Sequence, residues 1–223
     1  MIRSYGMAAL SGLALLNAPA ALAQVAGQWT VKAGATRITP KVDSGDVTAP
    51  ALPGTKSHVG ADTQPAFGMS YSLTDSIALA LELGLPYRHT IYGAGAIEGV
   101  GALARVKSLP PTAFVQFRFF EPAALLRPYV GIGATVAYFA NETGSGQLTA
   151  ISDIGGPPTT FSIKTKLAAT GQIGLLYNIN QRWFADVFVS KTWLKTDMTF
   201  SSGQTQKITL NPQAVGISVG YKF

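Results

Sequence analysis

The chain has 223 residues, 13% of them charged and 47% hydrophobic, with 17 lysines and arginines against 11 acidic residues and a formal charge of +6. Soluble proteins carry about 25% charged residues, so this composition points to a solvent other than water and excludes a disordered chain, which would be poor in hydrophobic residues and rich in net charge. A helical membrane protein would need a run of about 18 or more apolar residues without charge. Beyond the extreme N-terminus there is none, because Arg127 and Pro128 break the richest stretch, 123–140, and glycine or charge interrupts the others. A β-barrel remains, since only helices and closed barrels satisfy every backbone group inside a bilayer.

The first element in chain order is a leader. Arg3 supplies a short positive region, 8–16 forms a small apolar core, and Ala21-Leu22-Ala23 has the small-x-small form that signal peptidase reads. The run is too short for a transmembrane helix, and Asn17 and Pro19 interrupt it. Cleavage is expected after Ala23, with 1–23 an export signal and 24–223 the barrel. The chain has no cysteine, so neither disulfides nor thiol chemistry are available in the oxidising compartment that export leads to.

Eight strands follow, each near the 9 to 11 residues a tilted strand needs to cross the hydrocarbon. They are placed at 28–39, 63–73, 76–87, 110–121, 127–140, 165–178, 182–196 and 208–223. The alternation is plainest in the last, where Val215, Ile217, Val219, Tyr221 and Phe223 alternate with small or polar residues. It recurs at Ile77, Leu79, Leu81, Leu83 and Leu85, and at Val130, Ile132, Ala134, Val136 and Tyr138. Long segments rich in Gly, Ser, Thr and Pro, such as 40–62 and 141–164, alternate with short turns such as Thr74-Asp75 and 178–181. This predicts an all-β, eight-stranded antiparallel transmembrane barrel with periplasmic termini, four long extracellular loops and three short periplasmic turns. Trp29, Tyr71, Phe119, Tyr177, Trp183 and Phe223 then form a periplasmic aromatic girdle, and Tyr87, Tyr138 and Trp193 an outer one. The competing reading of these aromatics is the core of a soluble β-sandwich.

Four motifs carry a family resemblance. Leu85-Pro86-Tyr87-Arg88-His89, Leu109-Pro110-Pro111-Thr112, Arg127-Pro128-Tyr129-Val130-Gly131 and the closing Gly220-Tyr221-Lys222-Phe223 occur in this order, and the chain from about Trp29 onward resembles the OmpW/AlkL family of outer-membrane proteins. The resemblance implies an eight-stranded barrel with a hydrophobic channel that takes small apolar molecules from outside and releases them sideways into the membrane. The first and third long loops, which would shape the entrance, match none of these motifs.

Enzymatic chemistry has little to stand on. His58 and His89 are the only histidines; His58 has no spaced hydroxyl or carboxylate pattern around it that would make it a base, His89 lies inside the family motif, where a role in loop packing is expected, and two isolated histidines fall short of a metal-binding set of three or four ligands. Gly93-Ala94-Gly95 and Gly131-Ile132-Gly133 lack the spacing and helix of a dinucleotide fingerprint. The lysines and arginines are dispersed, which argues against nucleic acid and suits lipopolysaccharide phosphates at the outer rim. No cofactor is expected. The inward parity places the charges Lys32, Glu82, Arg118 and Asp186 in the lumen, with Lys32, Arg118 and Asp186 in its lower half and Glu82 near mid-depth, as a charged floor. That floor also reads as a purely structural salt-bridge cluster. Above it the inward residues, among them Ala66, Phe114, Ala137, Leu194 and Leu210, carry no charge, so a narrow apolar funnel is expected. A solute stopped by the floor must leave through the wall, and Pro86, Pro110 and Pro111, which have no N–H to donate, mark a gap between the third and fourth strands. Prolines at strand ends are also ordinary, so a structural reading stands beside this one. Tyr221 and Phe223 form a terminal signal of the kind the barrel-assembly machinery recognises. The leading reading is a passive conduit for small hydrophobic molecules; the alternatives are a structural or adhesive barrel with a filled interior, and a narrow ion channel.

Overall fold

The computed structural model describes residues 26–49, 51 and 53–223, so the predicted leader and its cleavage site lie outside the described residues. In chain order the elements are β1 (Trp29–Thr39), β2 (Asp43–Ser44), β3 (Thr55–Val59), β4 (Asp62–Ser72), β5 (Ile77–Gly84), β6 (Tyr87–Gly95), β7 (Ala102–Leu109), β8 (Thr112–Arg118), β9 (Leu126–Gly144), α1 (Gly146–Ser152), β10 (Phe161–Ile163), β11 (Lys166–Asn178), β12 (Trp183–Trp193), β13 (Lys195–Phe200), β14 (Thr205–Thr209) and β15 (Gln213–Lys222). Eight of them, β1, β4, β5, β8, β9, β11, β12 and β15, pair antiparallel in chain order, and the β1–β15 pairing closes the ring. No edge is left open inside the barrel, which is the condition for a sheet to sit in hydrocarbon.

The alternation that predicts these strands also sets their sidedness. Leu79 and Leu83, Val130 and Ile132, and Val215, Ile217 and Val219 point outward and are exposed, while Ala78, Tyr129 and Ser218 on the opposite parity are buried inside. The barrel is therefore inverted relative to a soluble sheet protein, with an apolar exterior and a largely polar interior. At the end that carries the termini, Trp29 packs at 4.9 Å against Tyr71 with the rings tilted, and Trp183, Tyr221 and Phe223 follow one another at 5.1 and 5.2 Å. The turns at this end are short and capped by side chains: Thr74 Oγ1 accepts the N–H of Ile77 at 2.9 Å, and Asn180 Oδ1 that of Trp183 at 2.8 Å.

The four long connections at the other end are not plain loops. β10, β13, β14 and β2 make a separate four-stranded sheet, β6 and β7 make a hairpin that extends the wall along β9, and β3 pairs with β6. Val59, Ile91, Leu103, Leu148, Phe161, Met198, Phe200 and Ile208 pack between these pieces as one buried apolar cluster. The sequence reading runs the seventh strand through residue 196 and starts the eighth at 208; the structure ends them at Trp193 and begins at Gln213, giving the residues between to the β13–β14 hairpin.

One correction concerns sidedness. Tyr87, expected in the outer girdle, is buried and faces the lumen. β5 pairs with β8 up to Glu82↔Thr112, and β6 with β7 from Tyr87↔Ser108. Residues 83–86 on one side therefore face only 109–111 on the other. The register slips by one, and because a one-residue slip exchanges the two faces of a strand, Tyr87 turns inward. Tyr138 and Trp193 remain outward and exposed.

Candidate functional site

The lumen is built in layers from the terminal end upward. Lowest are two cations that the sequence reading did not count among the inward charges. Arg127 donates to the carbonyls of Asp75 at 2.6 Å and Phe120 at 3.2 Å, and Lys222 donates to Asn178 Oδ1 at 2.7 Å. Both belong to the strand ends and fasten the turns there. Phe120 itself has φ 62°, a conformation rare for a residue with a side chain, and the Arg127 bond to its carbonyl helps hold it.

Above them lies the charged floor. Lys32 Nζ stands 2.7 Å from Glu82 Oε1 and 2.5 Å from Asp186 Oδ2, and Asp186 Oδ1 accepts the Tyr129 hydroxyl at 3.0 Å. Arg118 is close by, donating to Ser70 Oγ at 2.9 Å and Gln116 Oε1 at 3.1 Å. The four charges expected in the lumen thus lie together, with Lys32 between Glu82 and Asp186. Asp186 and Arg118 are almost fully buried, and burying such groups is tolerable only when each is paired and hydrogen-bonded. Large and small residues interlock around them: a Cβ at Gly174 would overlap the Tyr129 ring, and one at Gly220 the Phe184 ring. The role of Tyr129 escaped sequence reading because a neutral phenol leaves no charge signal, although its inward parity was legible.

Over the floor the polar side chains lose their charge. Gln116 donates to Gln172 Oε1 at 2.8 Å. One step higher runs a belt of hydroxyls across four strands: Thr112 to Thr135 at 2.8 Å, Thr135 to Thr170 at 2.5 Å, and Thr170 to Thr192 at 2.9 Å. Above and beside this belt is a cavity of about 130 Å³. Ala66, Ala137, Leu194 and Leu210 line it as expected, together with Val59, Ile91, Val106, Met198 and Ile208, while Glu82 lies at its base. Phe114 is not among the lining residues; it is buried lower, against Gly131 and Gly133. A smaller cavity of about 20 Å³ lies further out, within the packed connections, and shares Ile91 and Met198 with the main one.

The cavity reaches the wall at the interrupted ladder. Leu83, Gly84, Tyr87, Ser108, Pro110 and Thr112 line it, and they flank the stretch where β5 and β8 have stopped pairing and β6 and β7 have not begun. Leu83 is also an outward-facing, exposed residue, so one residue of this stretch both lines the cavity and presents a side chain on the outer face. Leu85 and Arg88 both give their N–H to the β4 side, to Pro65 O at 3.0 Å and Asp62 Oδ2 at 2.7 Å. Pro86, between them, has no N–H to donate. Across that stretch, the Pro110 carbonyl is taken by the Thr112 hydroxyl at 3.1 Å and the Pro111 carbonyl by the Val136 N–H at 3.0 Å. The three prolines that sequence reading singled out are therefore brought to one place.

His89, on the β6 hairpin above the gap, engages Gly60 O through Nδ1 at 2.8 Å and Ser108 Oγ through Nε2 at 3.1 Å. His58 lies on β3 opposite Tyr92. Among the described residues no three His, Asp or Glu side chains converge as a metal site.

Comparison with known proteins agrees with this architecture. The model of the OmpW family matches residues 25–223. Outer membrane protein W of Salmonella typhi is 31% identical over 100% of both chains, and outer membrane protein AlkL of Ectopseudomonas oleovorans is 26% identical over 100% of this chain and 94% of its own. The crystal structure of OprG, an outer membrane protein from Pseudomonas aeruginosa, superposes with a TM-score of 0.81 at 23% identity, over 91% of this chain and 98% of that one. With its apolar exterior, closed ladder and relatives of the same length, the chain belongs to the OmpW family and is a β-barrel of the outer membrane.

Proposed function

We propose that the barrel is a passive conduit for small hydrophobic molecules, admitting them at the end with the long connections and releasing them sideways between β5 and β8. The observation that carries this is the cavity's shape: its upper walls are apolar, its base is the Lys32, Glu82 and Asp186 network, and its side reaches the lipid-facing Leu83 where the ladder is broken. An apolar solute gains free energy by leaving water for such a cavity and loses it by entering the floor, so the wall is the easier way out. The conduit catalyses no reaction and needs no cofactor.

In this reading the termini and short turns face the periplasm, as in outer-membrane barrels generally, and the long connections meet lipopolysaccharide. The test is uptake by cells with and without the protein, using a panel of alkanes, fatty acids and aromatic compounds. Protein-dependent entry of the apolar members is expected. Identical uptake in both cell types across the whole panel would leave a structural barrel as the better reading.

A further inference from the structure

The threonine belt has a direction. A hydroxyl carries one hydrogen and two lone pairs, and a carbonyl can only accept, so the hydrogen of Thr112 goes to Pro110 O at 3.1 Å. Thr112 must then accept from Thr135, Thr135 from Thr170, and Thr170 from Thr192. Every hydrogen of the four is used within the belt. The chain ends on the hydroxyl of Thr192, a residue that lines the cavity and at whose oxygen no donor among the described residues is aimed. The belt therefore presents acceptors and no donors. Aligned hydrogen bonds polarise one another, which makes the terminal oxygen a better acceptor than an isolated hydroxyl.

The surroundings complete a site. Ser190, two residues before Thr192 on the same inward face of β12, also lines the cavity, and its hydroxyl can donate. Leu194, two residues after Thr192, begins the apolar wall that continues through Met198, Ile208 and Leu210. We propose that this belt end binds the hydroxyl group of an aliphatic alcohol, whose chain lies along that wall; the proposal rests on the conduit reading and names its substrate class. The alcohol O–H donates to Thr192 Oγ1, and its oxygen accepts from Ser190. An alkane makes neither bond. A carboxylate brings only lone pairs to a row of acceptors, so it is disfavoured.

The test compares octane, 1-octanol and octanoate as probes, in cells expressing the full chain, its Thr192→Val and Thr192→Ser variants, or neither. Valine keeps the β-branched shape suited to a strand and strands no donor, because Thr170 only accepts from Thr192. Protein-dependent uptake should be greatest for 1-octanol. Thr192→Val should lower it about fivefold, the effect of losing one neutral hydrogen bond, and leave octane unchanged; Thr192→Ser should retain the preference. Equal uptake of octane and 1-octanol by the native chain, or a Thr192→Val variant that loses both alike at equal barrel abundance, overturns the alcohol site and leaves the conduit standing. If no probe enters in a protein-dependent way, the site and the conduit fall together.

Discussion

Lys32 on β1 meets Asp186 on β12 at 2.5 Å although the two strands are not neighbours. Between them runs β15, which offers only Gly220 opposite Lys32 and Ser218 opposite Asp186. On its other side Lys32 passes over Gly68 of β4 to reach Glu82, and a Cβ at Gly68 would collide with the Lys32 Cε. Small residues on the intervening strands thus let one ammonium tie three strands together across the lumen.

The first prediction follows from that centre. Asp186→Ala leaves a buried cation less well neutralised and should destabilise the barrel by about 3–5 kcal/mol. Combining it with Lys32→Met should cost less than the sum of the two single changes, with a coupling of about 1–3 kcal/mol. The coupling to Arg118, which is held by Ser70 and Gln116, should be smaller. Urea unfolding in lipid vesicles measures all three. Strict additivity of Lys32 and Asp186 would mean that the observed contact contributes nothing to stability.

The second prediction concerns assembly. Phe223 donates its N–H to Trp29 O at 2.9 Å, joining the last strand to the first, and its ring packs 5.2 Å from Tyr221. Deleting it should reduce the yield of folded, heat-modifiable barrel by removing both this closure and the terminal aromatic expected to engage the assembly machinery. A normal yield from the truncated chain would count against both roles.

The third prediction is a pH dependence at the loop end. Burial holds the His89 imidazole below its ordinary value, against the opposing pull of the Gly60 carbonyl and the Asp62 carboxylate. The unfolded chain then binds more protons than the folded one between the two values. Stability is therefore complete above the unfolded value of 6.5 and falls as the pH drops through it toward the lower folded value. Protection factors of the β6 amides, which remove the pH dependence of intrinsic exchange, should fall from pH 7.5 to 5, and His89→Gln should flatten that response. A variant with the native slope would place the titrating group elsewhere.

How much of this was legible in the sequence depends on whether a signal is local. The lipid-facing period of Val215, Ile217 and Val219, or of Leu79, Leu81 and Leu83, is carried by one strand and needs no partner to be seen. The inward charges Lys32, Glu82, Arg118 and Asp186 follow from the same parity. The inward turn of Tyr87 is not legible, because the slip at 83–86 is a relation between two strands, and each alternates properly by itself. The threonine belt was hidden for a related reason. Thr112, Thr135, Thr170 and Thr192 come from four separate segments, and only the registers Thr112↔Thr135 and Thr170↔Thr192, with the stagger between the two pairs, bring them level. The order within the long connections is not legible either, because Gly203, with φ 84°, and the serines beside it mark a turn without revealing that β13 and β14 pair across it.

The last prediction separates transport from structure. Pro86 brings no N–H to the stretch where β5 and β8 have stopped pairing and β6 and β7 have not begun, and the Pro110 carbonyl on the other side of that stretch has a second lone pair beyond the one taken by Thr112. Pro86→Ala supplies the missing N–H. Stability should stay level or rise by up to about 1 kcal/mol, the worth of one added backbone hydrogen bond. Uptake of an apolar substrate should fall, with folding and surface abundance unchanged, because the wall closes where the cavity meets Leu83. A barrel that serves only as structure has no uptake to lose. Undiminished uptake through a properly folded Pro86→Ala barrel would move the exit away from the β5–β8 gap.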